Sequence, residues 1–187
     1  MKRAPIALLV AFLALAVGAG APAADAPWTK QSPLPTGFPL FDVDMISVSE
    51  AWAVGEVGTI LHTTDGGVSW TRQASGTETR LAAVRFKDAL HGWAVGGGLA
   101  LLTSDGGTTW KASSGIVGDP VSIDCSSLTT CFAGYGYSTA SKSTDGGATW
   151  QNVTFPIAVA RFQFFDVQHG VASGPGGVAV TNDGGAS

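Results

Sequence analysis

Short apolar runs recur from about residue 50 onward, each three to five residues long and closed by glycine: Trp52-Ala53-Val54-Gly55, Trp93-Ala94-Val95-Gly96, Phe132-Ala133-Gly134 and Val171-Ala172-Ser173-Gly174. Ahead of each lies a stretch that alternates apolar and polar positions: Val43-Asp44-Met45, Val84-Arg85-Phe86, Ile123-Asp124-Cys125 and Phe162-Gln163-Phe164. Alternation at period two places one set of side chains on each face of a strand. Glycine-rich turns (Glu56-Val57-Gly58, Gly97-Gly98, Pro175-Gly176-Gly177) lead to a third strand such as Thr59-Ile60-Leu61-His62-Thr63. No amphipathic helical stretch intervenes, so the pattern predicts strand after strand joined by tight turns.

The turn after the third strand is spelled alike four times. Thr63-Thr64-Asp65-Gly66-Gly67-Val68-Ser69-Trp70 is followed by Thr103-Ser104-Asp105-Gly106-Gly107-Thr108-Thr109-Trp110 and Ser143-Thr144-Asp145-Gly146-Gly147-Ala148-Thr149-Trp150. The fourth copy, Thr181-Asn182-Asp183-Gly184-Gly185-Ala186-Ser187, stops one residue before its tryptophan. The aspartates are 40, 40 and 38 residues apart, and a period near 40 belongs to propellers and stacked arrays. Each repeat then supplies four antiparallel strands with the fourth opening at the tryptophan, and the expected fold is an all-β propeller of four-stranded blades. The units fall at about residues 35–75, 76–115, 116–155 and 156–187, roughly three and a half blades. Trp28-Thr29-Lys30-Gln31 echoes Trp70-Thr71-Arg72-Gln73 without a preceding box. Residues 28–34 are therefore expected to be an outer strand that closes an incomplete ring. A tryptophan and further repeats are expected to follow Ser187.

The box residues read as structural. Asp65, Asp105, Asp145 and Asp183 can accept hydrogen bonds inside the turns they start, while Gly66, Gly67, Gly106, Gly107, Gly146 and Gly147 supply the positive φ those turns need. Trp70, Trp110 and Trp150 are expected to cover the hairpin base and anchor it to its blade. Four repeated copies are better explained by four hairpins than by four active sites.

Charged residues make up only 13% of the chain and the formal net charge is −4, which offers no basic surface for nucleic acid. Met1-Lys2-Arg3, the apolar run from Ile6 to Val17 and the small residues from Gly18 to Ala24 read as a signal peptide over residues 1–23. The propeller then occupies residues 24–187, in an exported protein with no integral membrane span in its mature chain. Cys125 and Cys131 are the two cysteines. An even pair in an exported protein favours a disulfide across the hairpin over two buried thiols.

The phrases from Glu50 to Gly67 (EAWAVGEVGTILHTTDGG) and from Phe86 to Gly96 (FKDALHGWAVG) resemble the photosystem II stability/assembly factor family of BNR/Asp-box propellers. The resemblance runs from Trp28 to the end of the chain. It implies an exported, noncatalytic, seven-bladed propeller that binds a protein partner, a membrane-protein complex during its assembly. Its location would be periplasmic or secreted, or lumenal in a photosynthetic organism. The third repeat, with Cys131-Phe132-Ala133-Gly134, instead resembles disulfide-bearing repeats of other exported propellers.

Two other readings compete. Asp-box propellers include sialidase-type exo-glycosidases, whose chemistry needs a convergent arginine cluster, a tyrosine with a glutamate partner and an acidic residue. The residues on offer are Arg72, Arg80, Arg85, Arg161, Tyr135, Tyr137, Glu50, Glu56 and Glu78. A sortilin-like ligand-binding propeller is the third reading. The column Asp44, Arg85, Asp124 and Gln163 is expected on the axis, where alternating charge ties blades together; as an alternative, Arg85 belongs to a partner-binding face. No cofactor or metal site is expected: Asp42-Val43-Asp44 lacks the rest of a calcium loop, Gly96-Gly97-Gly98 opens no helix, and His62, His91 and His169 are scattered.

Overall fold

A computed structural model describes Lys30 and residues 35–186. The expected signal segment and, apart from Lys30, the expected closing strand lie outside the described residues. Within the unit spanning residues 31–187, the described residues form fifteen strands and no helix. β1 (Leu40–Met45), β2 (Ala51–Gly55), β3 (Ile60–Thr63) and β4 (Thr71–Gln73) make the first antiparallel sheet in sequence order. β5 (Ala83–Phe86), β6 (Gly92–Gly96), β7 (Leu99–Thr103) and β8 (Lys111–Ala112) make the second. β9 (Ser122–Cys125), β10 (Cys131–Gly134), β11 (Tyr137–Ser143) and β12 (Gln151–Val159) make the third, and β13 (Arg161–Phe164), β14 (Gly170–Gly174) and β15 (Gly177–Thr181) a three-stranded fourth. These sheets are the blades of a propeller.

The core lies between blades rather than within one. Every residue of β2, β6 and β10 is buried; β6 and β10 have a neighbouring blade on each face. Trp52, Val54 and Ile60 of the first blade pack with Leu81, Val84, Phe86, Ala94 and Leu101. Trp93, Val95 and Ala100 pack in turn with Ile123, Cys125, Cys131, Ala133 and Trp150. Phe132, Ala140 and Val159 meet Phe162 and Ala172 of the fourth blade. Full burial of one such large apolar side chain is worth about 1.5–3 kcal/mol, so the interfaces carry the fold. The outer strands β4 and β8 stay mostly exposed, which is why their sequences are polar.

Local details depart from simple repetition. The outer strands begin one residue after Trp70, Trp110 and Trp150, not at them, since the indoles turn inward to pack. β12 crosses residue 155 and ends at Val159, which pairs with Tyr137 beyond a bulge in the unusually long β11–β12 ladder. In the β2–β3 turn Val57 adopts φ 54°, where the corresponding turn of the second blade has Gly97 at 56°. A β-branched residue in that region is strained.

Candidate functional site

Each of the first three boxes is a closed hydrogen-bond cage. The Thr63 hydroxyl donates to Asp65 Oδ1 (2.8 Å) and accepts from the Gly67 amide (2.9 Å). The other end of the turn returns to the same carboxylate: the Ser69 amide donates to Oδ1 (2.9 Å) and its hydroxyl to Oδ2 (2.6 Å). Thr103, Asp105, Gly107 and Thr109 repeat the arrangement, as do Ser143, Asp145, Gly147 and Thr149. In the fourth box Thr181 holds Asp183 at 2.7 Å and accepts from the Gly185 amide. The first glycine of every box also donates to the β-turn of its own blade, Gly66 to Ser49 O and Gly106 to Leu90 O, Gly146 to Thr129 O and Gly184 to Gln168 O.

These bonds favour the ionised carboxylate. The Ser69 hydroxyl and amide hold Asp65 at about 2, below its ordinary 3.8. The Thr109 amide and hydroxyl do the same for Asp105, and the Thr149 hydroxyl and amide for Asp145, each also at about 2. A carboxylate this well satisfied is a poor proton donor near neutral pH.

A relay between blades was not visible in the sequence. Gln73 Nε2 of the first blade donates to the carbonyl of Gly106 in the second (2.8 Å). Trp93 Nε1 of the second donates to Gly146 O of the third (2.7 Å), and Lys142 of the third to Gly185 O of the fourth. Three different side chains on β4, β6 and β11 thus perform one task. The repeat hides it, because Trp52 aligns with Trp93 yet its buried Nε1 finds no partner; its ring stacks instead between His62 (4.3 Å) and Phe86 (3.6 Å). Trp110 and Trp150 also reach backward, Trp110 Nε1 to Gln73 Oε1 (3.3 Å) and Trp150 into the cluster shared with Trp93. The tryptophans therefore anchor blade to blade, beyond the hairpin anchoring expected of them, while Trp70 lies over Gly67 of its own box.

The axial column is assembled by the first strands. Arg85 Nη1 lies 2.9 Å from Asp44 Oδ1, and its Nε 3.2 Å from Asp124 Oδ1. The second contact is an ion pair without hydrogen-bond alignment, since Nε has no bonded acceptor. The carboxylates also take backbone amides across the interfaces, Asp44 from Phe86 (2.6 Å) and Asp124 from Phe164 (2.6 Å). Asp42 accepts from Val84 at 3.0 Å. Arg85 so links the first, second and third blades, and Asp124 passes the linkage to the fourth. Its side chain is 34% exposed, against 11% and 5% for the two carboxylates. Gln163 is exposed on β13.

Cys125 and Cys131 face each other in the β9–β10 register and are joined by a disulfide. The residues that sialidase chemistry would use diverge. Arg72 donates to Val57 O and lies over Phe38, whereas Arg80 pairs with Asp119 and lies over Phe41. Tyr135 bonds Ser141, Glu50 bonds His62, and Arg161 is exposed at the start of β13. His91 and His169 are held by Asp88 and Asp166, three residues before each. Among the described residues no group of three or more His, Cys, Asp or Glu side chains is placed to hold a metal ion, and no helix is long and apolar enough to cross a membrane.

Comparison with known proteins adds a family. The model of the family described as photosynthesis system II assembly factor YCF48 matches residues 21–125. The chloroplastic photosystem II stability/assembly factor HCF136 of Arabidopsis thaliana is 41% identical over 68 residues, covering 35% of this chain and 17% of that protein. The photosystem II assembly lipoprotein Ycf48 of Synechococcus sp. (strain CC9902) is 33% identical over 93 residues, covering 46% of this chain and 27% of that protein. The chain thus spans a minor part of the curated relatives it matches. The solved structure of YCF48 bound to D1 peptide superposes with a TM-score of 0.60 at 22% identity, over 80% of this chain and 56% of that one. A Niastella koreensis GH74 enzyme reaches a TM-score of 0.61 at 17% identity, over 81% of this chain and 29% of that one. At such identities both show the fold alone.

Proposed function

The chain belongs to the photosynthesis system II assembly factor YCF48 family, and we propose that it is a noncatalytic propeller scaffold that holds a peptide segment of a protein partner. The partner is a subunit of a membrane-protein complex of the photosystem II kind. The protein works after export, in a periplasmic, secreted or lumenal compartment. The observation that carries this reading is the family match itself, which covers the first two blades and the opening strand of the third. The geometry supports it: the repeated box carboxylates are taken up by turn amides and hydroxyls, and the candidate arginines Arg72, Arg80 and Arg85 serve separate contacts. Arg85, within the matched stretch and partly exposed on the axis, is the residue through which the scaffold meets its partner.

The YCF48 structure holding a D1 peptide names the probe. Fluorescence anisotropy of a labelled D1 peptide titrated with the protein is expected to give saturable binding, weakened by Arg85→Ala. Absence of peptide binding together with turnover of a fluorogenic sialoside would overturn the scaffold reading in favour of a sialidase-type enzyme.

A further inference from the structure

We propose that the propeller axis carries a site for a small carboxylate ion, the size of formate or acetate, where the second, third and fourth blades meet. The site shares Arg85 with the partner-binding reading but does not rest on it, because the ligand is a free ion and its binding is read without any peptide.

The fold itself shows what chemistry belongs there. At the first interface Asp42 accepts from the Val84 amide (3.0 Å) and Asp44 from the Phe86 amide (2.6 Å). Asp124 serves two more, taking the Cys125 amide on Oδ1 (2.8 Å) and the Phe164 amide of the fourth blade on Oδ2 (2.6 Å). Alternate amides of an inner strand point away from its one ladder partner, and here a carboxylate receives them.

Two positions of the same set are supplied differently. Ile123 stands opposite Ala133 and Phe162 opposite Ala172, in the register where Val84 stands opposite Ala94. The residues that correspond to Asp42 in the blades before them are Ala83 and Ser122. Neither carries a carboxylate. Ile123 and Phe162 are only 4% and 6% exposed, and buried amides are nearly always given an acceptor. Ser122 is itself 4% exposed, and its buried hydroxyl has no partner. Both interfaces lie between described blades, so the difference comes from the residue types at positions 83 and 122.

The surroundings suit an anion. Arg85, Ser122, Ile123, Arg161 and Phe162 line one recess of about 60 Å³, roughly two waters' worth of liquid volume. That space admits a carboxylate group with little attached to it. Two guanidinium groups face one carboxylate there, since Asp42 also lines the recess but is engaged by the Val84 amide. Arg85 Nε is buried without a bonded acceptor. Guanidinium forks match the two oxygens of a carboxylate, and the Ser122 hydroxyl adds a neutral donor.

Amide NMR of the full chain titrated with sodium formate, balanced with sodium chloride to constant ionic strength, is expected to show one saturable site with shifts centred on Ile123 and Phe162. At ten times Kd, formate should raise Tm by about 3–6 °C over the chloride reference. Ser122→Asp supplies the carboxylate from within, as Asp42 does at the first interface, and should abolish the response. Arg161→Gln should weaken formate binding about tenfold, a readout that does not depend on how the core tolerates a new aspartate. Formamide, of the same size and uncharged, should give no saturable shift. Absence of saturable shifts at Ile123 and Phe162, an equal response to formamide, binding that survives Ser122→Asp, or binding unweakened by Arg161→Gln would each overturn the proposal. Peptide anisotropy is a separate measurement, so either reading can fail alone.

Discussion

Removing the Arg85 side chain tests whether the axial column holds the blades together. The substitution Arg85→Ala leaves Asp44 and Asp124 facing each other's blades without a cation, and both carboxylates are nearly buried. Breaking a buried pair by deleting one partner costs about 3–5 kcal/mol. That figure must be reduced here, because Arg85 is one-third exposed and each carboxylate keeps a cross-blade amide. A loss of about 2–3 kcal/mol remains, equivalent to a Tm about 4–12 °C lower for a unit of this size. A solvent-exposed pair would contribute only about 0–1 kcal/mol, so the two cases separate in a thermal melt at pH 7. Combining Arg85→Ala with Asp124→Asn should show coupling of about 0.5–3 kcal/mol, since the asparagine retains an acceptor for the Phe164 amide while giving up the charge. A melt shifted by less than 2 °C, on the order of an exposed pair, refutes the clasp. If peptide binding is lost at unchanged Tm, the arginine serves the partner alone.

Three further outcomes are expected. Asp65, Asp105 and Asp145 have folded pKa values near about 2, below the ordinary 3.8; their contribution to stability is full above about pH 4 and is lost as pH falls through about 2. Carboxyl NMR titration should show this, with Thr109→Ala moving Asp105 back toward 3.8, and an unshifted Asp105 in the wild type would refute the cage. Replacing both Cys125 and Cys131 with alanine should cost about 2 kcal/mol, the entropy of opening a short loop, measured by urea unfolding; equal stability would place the bond's role elsewhere. Trp93→Phe should cost about 1–2 kcal/mol more than Trp52→Phe, because only Trp93 leaves a box carbonyl without its donor; equal losses in chemical denaturation would reduce the relay to packing.

Much of this architecture was readable from residue order alone. The strands of the first three blades follow the alternating triplets and glycine-closed runs, because period two and tight turns are local properties. The column Asp44, Arg85 and Asp124 was legible for a related reason: equivalent positions on successive first strands must meet around an axis. The relay of Gln73, Trp93 and Lys142 was not legible. Its donors occupy different strands and chemical types, and its acceptors are backbone carbonyls that carry no side-chain signature. The only hint was a broken pattern, with tryptophan giving way to Phe132 in the third blade just where Lys142 takes over. The continuation of β12 past residue 155 was also hidden, since Pro156 argues against a strand interior and only an outer edge, which needs no further partner, tolerates it.

The use of main-chain acceptors has a consequence for how such a chain can change over time. A glycine carbonyl cannot be removed by substitution, so one half of each link between blades survives any point mutation that preserves the box turn. The other half is free to wander. Glutamine, tryptophan and lysine have each come to occupy it from a different strand, constrained only by reach and a free hydrogen. Duplicated repeats can therefore diverge in sequence and still recognise their neighbours, and a copy inserted beside any other arrives with its docking point already made.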